Sequence, residues 1–97
     1  MTLVEFQRSL KAKTVPRGIA PALAALWWAK KGDWDKAHAI VMNAEGRDAA
    51  WVHAHLHRAE GDAGNAAYWY RQAKQAVADV SLDAEWDAIV AALLGED

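Results

Sequence analysis

The chain has 97 residues, 13 acidic and 11 basic, for a net charge of -2. That length holds one small domain, and the charge supplies no polybasic field for nucleic acid or an anionic membrane. With no cysteine, a disulfide scaffold, a thiolate metal site and cysteine catalysis are excluded. A cytoplasmic protein is expected, since no stretch approaches the ~18 apolar residues of a membrane span and Glu5, Gln7 and Arg8 interrupt any leader-like apolar run.

Twenty-three alanines, two prolines and only 12 Val, Ile and Thr residues argue for an all-α chain. Thr2 and Glu5 form a potential capping box for a first helix with Leu3, Phe6 and Leu10 on one side. Residues 14–20 read as a loop, and Pro21 opens a second helix that stops at Gly32. Asp33 is expected to cap a third helix ending near Glu45-Gly46, and Asp48 a fourth ending at Gly61. Asp62 caps a fifth, drawn as far as about Val80, and Ser81 a sixth that ends at Gly95. Six short antiparallel helices follow.

Sliding the chain by 29 places aligns residues 20–44 with 49–73. Ala20/Ala49, Ala25/Ala54, Gly32/Gly61, Asp33/Asp62, Ala37/Ala66 and Ala44/Ala73 coincide. The matches are small residues and turn residues, where a helical hairpin tolerates least variation. Each unit resembles a tetratricopeptide (TPR) helix pair, although the period is shorter than the usual ~34 and no proline closes it. The expected domain therefore spans 1–97, with TPR-like units at about 20–45 and 49–75 and the terminal helices as caps.

A narrower resemblance overlaps this one. Trp51-Val-His-Ala-His-Leu-His-Arg-Ala-Glu-Gly-Asp, with Asn65-Ala-Ala-Tyr-Trp-Tyr-Arg after it and Gly32-Asp-Trp-Asp-Lys-Ala-His before it, is similar to a family of small helical proteins. These share a Trp-x-His-Ala-x-Leu-His-Arg-x-Glu-Gly-Asp signature. The resemblance singles out His38, Trp51, His53, His57, Arg58, Glu60, Asp62, Asn65, Tyr68, Trp69 and Tyr70, and implies no reaction. At His55 the family commonly has an aromatic.

His53 and His57 lie four apart and share a helix face, so their ring nitrogens can approach one metal ion, with His38 on the preceding helix. The competing reading is a buried polar network in which these imidazoles bridge Glu60, Tyr68 or Tyr70. Arg58, Glu60 and Asp62 surround the Gly-Asp turn, either as an anion clamp or as a local salt bridge and cap. Trp28, Trp69 and Trp86 fall on apolar stripes; Trp27 and Trp34 have no clear assignment. Trp51, His55 and Arg58 fall where a TPR groove would be lined and have the composition of a contact hot spot. The expected function is a non-enzymatic module that binds a protein or peptide partner, or itself, through Trp51, His55 and Arg58, with no cofactor. The alternative is a metal- or ligand-binding protein that uses His38, His53 and His57 with a divalent ion.

Overall fold

The computed structural model describes residues 1–95, and among them lie six helices and no strand. They are α1 (Leu3–Ser9), α2 (Pro21–Lys30), α3 (Trp34–Met42), α4 (Arg47–Ala59), α5 (Ala63–Ala73) and α6 (Leu82–Leu93). None is long and apolar enough to cross a membrane. The start signals operate largely as the sequence implies. Thr2 and Glu5 close a reciprocal capping box, Pro21 begins α2, and Asp33, Asp62 and Ser81 each accept a backbone N–H of the first turn.

Three boundaries differ from expectation. α3 stops at Met42 because Asn43 turns its side chain back onto the Ala39 carbonyl. Asp48 is not the cap of α4; Gly46 occupies that place at φ +99°, and Asp48 lies inside the first turn. The largest difference is α5, which ends at Ala73, so the segment up to Val80 leaves the helix. Its end repeats the hydrogen bonds that end α2 and α4. Gly32 bonds Ala29 and Asp33 bonds Trp28; Gly61 bonds Arg58 and Asp62 bonds His57; Lys74 bonds Arg71 and Gln75 bonds Tyr70. In the third case a lysine takes the left-handed position that glycine fills in the other two.

The paired turns fold α2 onto α3 and α4 onto α5, the most extensively packed helix pairs among the described residues. α6 packs on α4 and α2, and α1 lies on α6. The main core joins Phe6, Leu26, Trp27, Val52, Leu56, Trp86, Ile89 and Val90. A second, smaller core of Ala54, Ala66 and Tyr70 sits between α4 and α5, where alanine lets the two backbones approach. Trp86 is buried as its stripe implies, but in α2 it is Trp27 that is sealed, while Trp28 is half-buried at the edge.

Neighbours surround α4 on several sides. Residues 52–57 are buried without a break, His53, His55 and His57 among them. A helix with alternate histidines cannot aim all three at one face. Residues 53 and 57 therefore turn toward α3 and α5, and residue 55 toward α6.

Candidate metal centre

The turn at Gly46 and the short α3 bring His38 alongside α4. There His53 Nε2 and His38 Nε2 are 3.0 Å apart, and one ring nitrogen from each of His38, His53 and His57 lies within 4.8 Å of the others. Aromatic stacking sets the ring planes. Trp69 lies on His53 with centroids 3.9 Å apart and 12° between planes, and Trp34 lies on His38 at 4.6 Å and 15°. His53 and His57 stack on each other at 4.9 Å. Trp34 is itself held by its indole N–H, which donates to the Leu56 carbonyl at 2.7 Å.

Glu60 fixes the third imidazole. Its carboxylate is 2.6 Å from His57 Nδ1 and can only accept, so a His57 proton resides on Nδ1, and in the neutral ring Nε2 has the lone pair. A carboxylate behind a histidine is the outer-shell arrangement that orients metal-ligating imidazoles. Charge on His53 and His38 is disfavoured. Burial first, then the neighbouring His38 and His57, lowers the His53 pKa to about 4. Burial and His57 also lower that of His38, against the opposing pull of Glu60 and Asp35. The cluster is thus poor in protons and rich in lone pairs. His57, Glu60 and Asp62 form a second set of potential ligands, but Asp62 is occupied in capping α5.

The residues expected to form a contact surface do something else. His55 is only 5% exposed, and its Nδ1 donates to Glu85 Oε1 at 2.7 Å. Arg58 makes no salt bridge at the Gly-Asp turn; it reaches Glu85 Oε1 at 3.0 Å and the Val80 carbonyl. Trp51 is half-buried and packs against both cores. With His55 and Arg58 bound to the interior carboxylate, the three do not make a shared exposed face.

Tyr70 also leaves the group in which the sequence places it. Its hydroxyl donates to Glu85 Oε2, not to a histidine, and burial together with that carboxylate raises its pKa. Glu85, 4% exposed, is the residue that sequence reasoning misses. Burial pushes its pKa up, but hydrogen bonds from His55, Tyr70 and Arg58 outweigh this and hold it below the usual glutamate value. In the sequence Glu85 reads as an acidic residue in the first turn of a helix, a position normally solvated. Its one signal is its place a single residue before the core Trp86. Trp34 and Trp69, the platforms under His38 and His53, carried no ligand-related signal either. No protein-family model, curated protein or solved structure matches this chain.

Proposed function

We propose that this protein binds a divalent transition-metal ion through His38, His53 and His57. The observation that carries the reading is three imidazoles from two helices with nitrogens within 4.8 Å, one of them oriented by Glu60. With metal–nitrogen bonds of about 2.0–2.1 Å, ligand nitrogens stand roughly 2.9 Å apart at octahedral corners and 3.4 Å apart at tetrahedral ones. The 3.0 Å between His38 and His53 already falls in that range, and His57, whose ring nitrogen lies within 4.8 Å of both, would close on the ion. Nitrogen-only ligation suits zinc, nickel, copper or iron and disfavours calcium and magnesium. Three protein ligands leave at least one position for water or a small ligand. We also read the two hairpins as TPR-like units capped by α1 and α6, on the strength of their shared turn hydrogen bonds, in a cytoplasmic protein.

Titration of chelator-treated, tag-free protein with zinc and nickel, followed by calorimetry, tests the reading. One equivalent should bind to wild type, and His53→Ala should lose it. Calcium should give no heat. Binding of zinc or nickel that survives both His53→Ala and His38→Ala would falsify this assignment.

A further inference from the structure

An open groove lies between α3, α4 and α5, with a volume of about 370 Å³. It reaches the triad at His53 and Trp69, but what it can hold is independent of any metal. We infer that this groove is a binding site for a free α-amino acid with an aliphatic side chain, its carboxylate at Arg47 and its ammonium group at Glu45.

The acid and the base on the wall are Glu45 and Arg47, one on each side of Gly46. Both are exposed, and neither side chain has an ion-pair or hydrogen-bond partner among the described residues. At another surface of the molecule opposite charges do meet, as Lys30 and Asp83 do at 2.8 Å. Glu45 and Arg47 border the same groove without pairing, so a ligand carrying both charges can engage each of them.

The floor between them is apolar and fixed. Val41 and Ala50 are buried, and Trp69 is half-buried and stacked on His53 at 3.9 Å. Such a floor gives apolar contact to a short aliphatic chain. The volume lies near the lower limit of small-molecule sites, roughly 300–1,000 Å³, which suits a single amino acid and not a peptide.

Other ligand classes fit less well. A simple anion suited to Arg47 would be repelled by Glu45, and a simple cation suited to Glu45 would be repelled by Arg47. A neutral apolar molecule would take water from both charges and return nothing to either. A peptide segment presents amides where a free amino acid presents its two charges. The zwitterion answers both residues, and its own net charge is zero.

The probe is L-leucine, compared with 4-methylpentanoate, which lacks the ammonium group, and 3-methylbutylamine, which lacks the carboxylate. The Trp69 indole N–H and Ala50 amide resonances of the chelator-treated, tag-free full chain are the readout. Leucine should shift both signals saturably, with a dissociation constant on the order of 1 mM, since Glu45 and Arg47 lose side-chain freedom on binding. Each comparison compound should bind about threefold more weakly or worse, the scale of one exposed charge pair. Arg47→Gln should bring leucine down to the level of 3-methylbutylamine, and Glu45→Gln to that of 4-methylpentanoate. Both side chains are exposed, so the fold should survive either change. The inference is overturned if about 10 mM leucine shifts neither signal. It is equally overturned if either comparison compound binds as tightly as leucine, or if either variant binds leucine as wild type does.

Discussion

The two sides of α4 solve the problem of a buried histidine in opposite ways. Toward α6, His55 joins Arg58 and Tyr70 around the Glu85 carboxylate, and both oxygens of that group are occupied. Charge meets countercharge, and the cluster is complete as it stands. Toward α3 and α5, His38, His53 and His57 face one another, and among the described residues Glu60 is the carboxylate hydrogen-bonded to them. Those rings share nitrogens that cannot all be donors, so lone pairs are left over. A satisfied ionic cluster contributes structure; a set of converging lone pairs contributes affinity for an electrophile.

Removing Glu85 should give the largest effect. Glu85→Ala leaves the Arg58 cation without its buried partner and deprives His55 and Tyr70 of their acceptor. Breaking such a pair costs about 3–5 kcal/mol, to be read from urea denaturation. Metal affinity in the surviving folded fraction should not change. A loss below about 1 kcal/mol would mean that the carboxylate is solvated and the contrast between the two sides is unfounded.

Acid separates the two sides next. The folded His53 pKa of about 4 lies below the ordinary 6.5, so the unfolded chain binds more protons between those values. The stability that His53 contributes is whole above pH 6.5 and is lost as pH falls toward 4, on the order of 2–3 kcal/mol in all. His38 shifts in the same direction and adds to the loss. Glu85 is also lowered, but from 4.5, so its contribution is lost only at more acid pH. Metal-free wild type measured from pH 7 to 4.5 should therefore weaken through His53 and His38, and His53→Gln should flatten the curve.

What was legible in the sequence tracks how local each cause is. Caps and turns depend on a residue and its near neighbours, so Thr2, Asp33, Asp62 and Ser81 announce their helices. His53 and His57 share a face by spacing alone, and His38 follows from the short turn that sets α3 beside α4. Glu85 stands 30 residues from His55 and 15 from Tyr70, and nothing local marks it as buried. Without that carboxylate, His55 and Arg58 read as a surface pair beside Trp51, and the interior they occupy was invisible. α5 was drawn too long for a related reason: Ala76, Val77 and Ala78 are compatible with a helix, and no glycine marks the stop at Lys74.

Glu60 tests the metal side without disturbing the other. Its carboxylate orients His57 but is partly solvated, with the side chain 38% exposed. Glu60→Gln should cost the metal-free fold little, because exposed pairs contribute about 0–1 kcal/mol. It should weaken zinc or nickel binding about 10–100-fold, the usual penalty for losing an orienting partner. Equal affinities by calorimetry would show that His57 needs no such support.

The smallest expected effect concerns the hinge that lets Glu85 reach its partners. Lys74 adopts φ 58° and ψ 42°, in the position that Gly32 and Gly61 hold at the other two repeated turns. A residue with a Cβ is disfavoured there by about 1–2 kcal/mol, part of which glycine gives back through its greater freedom when unfolded. Lys74→Gly should therefore stabilise the protein by roughly 0.5–1 kcal/mol in thermal or urea melts. The turn releases the segment in which Ala78 packs near Tyr70 and the Val80 carbonyl receives Arg58. The gain should consequently vanish in a Glu85→Ala background, where that segment has less to hold it, and metal affinity should be the same with lysine or glycine. A stabilisation that persists in full without Glu85 would make the turn a local matter, uncoupled from the charged side of α4. A change in metal affinity would show that the two sides communicate through α5, where Trp69 lies on His53.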